Sequence, residues 1–93
     1  MKAYKGFDKD LKCRNFQYEV GKTYEEKEAR ICKKGFHACE EPLNVLRYYP
    51  PCYGNRYCEV EQHGEFSENP DGDSKVASTK IEISKEISLR GLI

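Results

Sequence analysis

From Val76 to Ser84 the chain alternates at every position, with Ala77, Thr79, Ile81 and Ile83 on one side and Ser78, Lys80, Glu82 and Ser84 on the other. A period of two is the signature of a β-strand with one buried face. A half-buried strand needs partners, so this stretch commits the chain to a sheet. Two further stretches carry the same period. Phe16, Tyr18 and Val20 oppose Gln17 and Glu19 before Gly21, and Tyr57, Glu59 and Glu61 oppose Cys58 and Val60 in a strand that Gly64 is expected to end. Lys2 to Phe7 alternates weakly, Ala3 against Tyr4 and Lys5, and reads as a short first strand broken by Asp8-Lys9-Asp10. Ala29 to Cys32 reads as a return strand that forms a hairpin with the stretch around Tyr18, and Ser67 to Ser74 has the composition of a loop.

The period changes after Gly35-Phe36-His37-Ala38-Cys39, where Phe36 and Ala38 share a face opposite His37. Residues 40–49 open with two glutamates, carry Pro42 where a first helical turn tolerates proline, and space Leu43, Leu46 and Tyr49 by three. This predicts a short helix, which Pro50-Pro51 cannot continue. With no internal repeat and no linker, the expectation is one domain over residues 1–93 of α+β class, a mainly antiparallel sheet with one short helix packed on it. Phe16, Tyr18, Val20, Phe36, Val60, Ile81 and Ile83 are its predicted core, under Leu43 and Leu46. The tail 86–93 fits a last strand, a helical turn or an oligomer contact.

Ordering 93 residues costs about 140 kcal/mol at roughly 1.5 kcal/mol each, and a hydrophobic content of 38% leaves association, as in a homodimer, one way to supplement the core. A body this small is expected to hold no enclosed cofactor and to place any site in a surface cleft or an interface. Lys and Arg total 16 and Asp and Glu total 16, which removes the basic field expected of a partner of nucleic acid. The balance is uneven, with 11 basic and 8 acidic residues up to position 47 and 5 and 8 after it. No apolar run approaches the roughly 20 residues needed to cross a bilayer, and Met1-Lys2-Ala3-Tyr4-Lys5 is not a secretory leader, so no membrane and a cytoplasmic location are expected. Cys13, Cys32, Cys39, Cys52 and Cys58 make an odd count without a Cys-x-x-Cys pair, so reduced thiols and no metal are expected.

Three constellations could carry chemistry. His37 lies in the spacing Cys32-x4-His37-x-Cys39, which allows a Cys–His nucleophile, although a histidine bonded to a backbone carbonyl is the plainer reading. Glu59-x-Glu61 puts two carboxylates on one strand face about 7 Å apart. That pair resembles the Glu-x-Glu of ADP-ribosyltransferases, and Tyr4-Lys5-Gly6 is similar to the Tyr-Arg-Gly that begins some of them, with Lys5 in place of arginine and Ser78-Thr79 after rather than before the carboxylates. Finally, Tyr48, Tyr49, Tyr53 and Tyr57 gather around the double proline beside Arg47 and Arg56. Aromatic and cationic groups on a rigid corner suit a binding surface, and His37, Arg47, Tyr48, Tyr49, Tyr53 and Arg56 are its candidate residues.

Tyr4-Lys5-Gly6-Phe7, Cys13-Arg14-Asn15-Phe16-Gln17-Tyr18-Glu19-Val20-Gly21, Cys32-x-x-Gly35-Phe36-His37-Ala38-Cys39 and Tyr48-Tyr49-Pro50 together resemble a family of small domains of unknown function encoded by phages, prophages and Firmicute genomes. Asn15 stands where that family is expected to carry glycine. The resemblance implies a genomic setting and no activity. Small neutral phage domains are often inhibitors of host defence, so the expected function is a non-enzymatic binding module whose partner is a host effector protein or a small nucleotide signal. The alternatives are a small ADP-ribosyltransferase-like enzyme and a structural phage component.

Overall fold

Two long strands carry the architecture of the computed structural model, which describes residues 1–31, 34–68 and 74–93. Strand β6 (Arg56–Glu68) and strand β7 (Lys75–Ile87) pair antiparallel from Tyr57↔Ile87 to Glu68↔Val76. The expected stop at Gly64 does not occur, because the strand passes it through an irregularity between His63 and Phe66. Gly64 has φ +84° there, and a Cβ would lie 2.1 Å from the Thr79 hydroxyl. Glycine thus allows a bulge rather than ending the strand.

The shorter strands close this ribbon on itself. Strand β1 (Lys2–Phe7) pairs with β6 from Lys2↔Glu61 to Phe7↔Arg56, and strand β5 (Phe36–Cys39) pairs with β7 from Phe36↔Ser78 to Cys39↔Lys75. Tyr4↔Cys39 joins β1 to β5 and completes the ring. Strand β4 (Thr23–Glu25) extends the β7 edge beyond β5, while β2 (Lys12–Cys13) and β3 (Phe16–Gln17) form a separate hairpin. A period of two then sorts the side chains. Ala3 and Phe7 of β1, Phe36 and Ala38 of β5, Cys58 and Val60 of β6, and Ile81 and Ile83 of β7 are buried together with Leu11 and Tyr18. A second cluster on the outside of the ring joins Cys39, Val45, Tyr57 and Leu92. Across the interior the buried Gln62 amide donates to Phe36 O at 3.0 Å and Val76 O at 2.9 Å.

The α+β expectation is corrected to a small, mostly antiparallel β fold. Its helical elements are the 3-10 helix Pro42–Arg47 and a four-residue turn, α1 (Leu89–Leu92); the tail 86–93 begins as the end of β7 and continues into this turn. With Pro42 at one end and Pro50-Pro51 at the other, the segment has no room for a long α-helix, and the tighter winding turns Val45 to the sheet and leaves Leu43 54% exposed. The predicted hairpin is also replaced. Arg14 and Asn15 both take positive φ, 51° and 66°, the two-residue geometry that matches strand twist, so Cys13 pairs with Phe16 before the chain can reach Ala29. Of the alternating trio there, only Tyr18 is buried, and Phe16 and Val20 stay exposed. The end of the predicted return strand at Cys32 and the loop residues 69–73 lie outside the described residues.

Candidate functional site

Strand β1 places the side chains of Ala3, Lys5 and Phe7 on one face, and that face is the interior. Lysine at the middle position is anomalous, since it is only 4% exposed between two fully buried apolar residues. Its ammonium donates to His37 O at 2.6 Å. It also stands 5.4 Å from the centre of the Tyr18 ring and 5.7 Å from that of Phe7. Among the described residues no carboxylate forms an ion pair with it. Burial lowers its affinity for the proton, and the neighbouring Cys13 sulfur pushes back against that effect.

Lys5 sits where the ring is thinnest. Beyond Tyr4↔Cys39 no further pair joins β1 to β5, and a cavity of about 600 Å³ opens between them. Lys5 and Gly6 line it from β1, and Phe36, His37 and Ala38 from β5. The β2–β3 hairpin contributes Cys13, Arg14 and Phe16, and the far side is closed by Val45, Tyr48 and Tyr49. The hairpin's position follows from its aromatic contacts: the Phe16 and Tyr18 rings meet tilted at 4.7 Å, and Tyr18 meets Phe7 at 5.3 Å and Tyr24 at 5.1 Å edge to face. Tyr49 reaches over Gly6, and its hydroxyl donates to Cys13 Sγ at 3.1 Å. Tyr57 in turn fixes the Tyr49 backbone through a 2.8 Å bond to Tyr49 O.

The cavity is cationic although the chain is neutral. Lys5, Arg14, Lys27, Lys34 and Lys75 line it against Glu26 and Glu28. Both carboxylates already have partners, Glu26 accepting from Gly35 N at 2.9 Å and Glu28 pairing with Arg30 at 2.5 Å. Lys75 lies 4.4 Å over the Tyr48 ring. His37 Nδ1 is 3.2 Å from Gly35 O, the backbone partner expected of a structural histidine. Burial first, and then the charges of Lys5 and Lys75, push its pKa down to about 4, so it is neutral at neutral pH.

The six residues expected to form a binding surface therefore part company. His37, Tyr48 and Tyr49 line the cavity. Arg56 is held away from it by a two-pronged pair with Glu86, Nε to Oε2 at 2.9 Å and Nη2 to Oε1 at 2.6 Å, which ties the start of β6 to the end of β7. Tyr53 is 86% exposed in the loop beyond Pro51, and Arg47 is exposed at the end of the 3-10 helix. Neither lines the cavity. The carboxylates likened to an ADP-ribosyltransferase pair also lie elsewhere, Glu59 bonded to Lys2 at 2.5 Å and Lys85 at 3.5 Å, and Glu61 3.4 Å from the amino terminus.

Sequence reasoning missed Lys5, Cys13, Arg14 and Tyr18 as a group. The available signal was the lysine between Ala3 and Phe7, a polar residue at an inward position of a strand. The described cysteines Cys13, Cys39, Cys52 and Cys58 carry thiols rather than disulfides. Cys32, the third member of the spacing around His37, lies outside the described residues.

A family model described as a domain of unknown function (DUF7666) matches residues 1–93. Searches of curated proteins and of solved structures find no match.

Proposed function

We propose a small-ligand-binding role for this chain, which belongs to the DUF7666 family over its whole length: the cavity between β1 and β5 takes a small planar anion of the nucleotide class. One observation carries the reading. Lys5 is a buried cation without a carboxylate partner among the described residues, set in a cationic cavity with aromatic walls. Burying an ammonium is costly unless a counter-charge meets it, and a phosphate or carboxylate entering the cavity supplies that counter-charge. Arg14 on the hairpin offers a planar fork for the same anion, and Phe16, Phe36 and Tyr48 offer ring faces for a base. A volume of about 600 Å³ falls within the range of small-molecule sites.

Of the two partners expected from the resemblance, a host effector protein and a nucleotide signal, the cavity favours the second. A phage or prophage setting, sequestration of the nucleotide as the means of inhibition, and action in the host cytoplasm complete the proposal. No helix among the described residues is long and apolar enough to cross a membrane.

Calorimetric titration with a panel of mononucleotides and cyclic dinucleotides tests it. The expected result is saturable binding to at least one nucleotide, lost in Arg14→Ala and Lys5→Met and retained in Arg56→Ala. Absence of binding across the panel, or equal binding by the Arg14 and Arg56 variants, overturns it.

A further inference from the structure

The cavity has two aromatic ends. Strand β5 runs along it from Phe36 to Cys39, three steps that span about 10 Å at roughly 3.4 Å each. At the Phe36 end stands Phe16, its ring 6.4 Å from that of Phe36 and braced by Tyr24 at 5.4 Å. At the other end Cys39 pairs with Lys75, whose ammonium lies 4.4 Å over the Tyr48 ring. Both aromatic residues line the cavity and keep much of their surface in the open, 45% for Phe16 and 41% for Tyr48. The cations repeat this pattern. Arg14 lies in the same hairpin turn as Phe16, Lys75 covers Tyr48, and the Lys5 ammonium is held between the two ends, where it donates to His37 O at 2.6 Å.

We propose that the cavity takes a dinucleotide, two bases joined through phosphate, with one base on Phe16, the other on Tyr48 and the phosphate bridge on Lys5. This rests on the nucleotide reading above and narrows it.

The order of groups along the wall selects the ligand. A mononucleotide covers one ring and meets the cation beside it, which leaves the second ring wet and the second flanking cation without an anion. A dinucleotide presents base, phosphate and base in the sequence in which the wall presents ring, cation and ring. The distance between the two ends excludes bases stacked on each other, whose rise is only about 3.4 Å. The bases are therefore splayed, each against a protein ring, as in the recognition of unstacked single strands. Stacking of this kind tolerates any base, so the site selects the number of bases and their bridge before their identity. Tethering makes the second contact intramolecular, which raises affinity by about 10²–10⁴ without any new contact.

Calorimetry on the intact chain tests this with cyclic diadenylate and cyclic diguanylate, the linear forms pApA and pGpG, and the mononucleotides AMP and GMP. One dinucleotide is expected per chain, bound about 100-fold or more tighter than the mononucleotide of the same base. Phe16→Leu and Tyr48→Leu keep apolar volume and remove the ring. Each is expected to weaken the dinucleotide about tenfold or more, and to leave AMP and GMP, which keep the other ring, close to their original affinity. Whether the cyclic or the linear form leads identifies the source of the ligand, and a lead for either supports the two-ring site. A mononucleotide that binds as tightly as its dinucleotide, or a dinucleotide affinity indifferent to both substitutions, overturns the two-ring site and leaves the anion-binding reading standing. No binding by any of these ligands overturns both. The two substitutions lie on separate elements, so if one variant fails to fold the other still decides.

Discussion

Tyr49 packs on Gly6 so closely that a Cβ at Gly6 would lie 2.7 Å from the Tyr49 Cβ and 2.8 Å from its ring. The backbone of β1 is thereby a seat for the side chain that bonds Cys13. Gly6→Ala is expected to destabilise the protein by about 1–3 kcal/mol, the usual range for overpacking. The midpoint of urea unfolding checks this. An unchanged midpoint would show that the contact yields without cost.

Lys5 is expected to weaken the fold it belongs to. Its folded-state pKa lies below 10.5 because of burial, so between that lowered value and 10.5 the unfolded chain binds more protons, and stability rises with pH through this window. Lys5→Met should melt at a higher temperature than the native chain at neutral pH, and the gap should narrow as pH climbs toward 10.5. The same variant should bind no nucleotide. A lower melting temperature at neutral pH would mean that the bond to His37 O outweighs the burial of the charge.

Ile81 is fully buried and Leu43 is 54% exposed. Ile81→Ala is therefore expected to cost about 2–5 kcal/mol, and Leu43→Ala to stay within about 0.5 kcal/mol. Chemical denaturation of both variants decides whether the core lies inside the ring, as described, or under the 3-10 segment.

His37 makes stability depend on acid. Its folded-state pKa of about 4 lies below the ordinary 6.5. As pH falls from 6.5 toward 4 the unfolded chain therefore takes up a proton that the folded chain refuses, and stability declines. His37→Gln should flatten this part of the curve. Melting temperatures at successive pH values, native chain against variant, read out the difference directly.

The sheet was legible in the sequence wherever one face of a strand is buried and the other is wet. Ile81, Ile83, Val60, Phe36 and Tyr18 fall where their alternation puts them. Legibility failed where turn geometry outweighed alternation. Arg14 is a poor residue for positive φ, and Asn15, which tolerates it, stands without the glycine that would mark a two-residue turn, so alternation alone put Phe16 and Val20 in the core. The 3-10 helix was located correctly by Pro42 and Pro50, but its most buried residue shifted to Val45 with the tighter winding, Leu46 packing half-buried beside it and Leu43 turning outward. The site was the least legible part. Its aromatic wall at Tyr48 and Tyr49 follows from composition, whereas Lys5, Cys13 and Arg14 come together only through ring closure and a hairpin turn, relationships that no local pattern encodes. Arg56 illustrates the converse. A cation beside aromatic residues looks like a binding group until its partner Glu86, thirty positions away, is known.

The junction between β1 and β5 has a consequence for motion. Six register pairs tie β1 to β6, but Tyr4↔Cys39 is the single pair that ties it to β5. A closed loop of strands breathes first at its weakest joint, and here that joint is the wall of the cavity itself, bridged beyond the pair by the Lys5 side chain reaching His37 O. Widening the cavity thus breaks little else, and the long β6–β7 ribbon serves as the stiff spine against which the seam moves. Anything that engages the Lys5 ammonium competes with His37 O for it, so occupancy of the cavity and the tightness of the seam are two readings of one hydrogen bond.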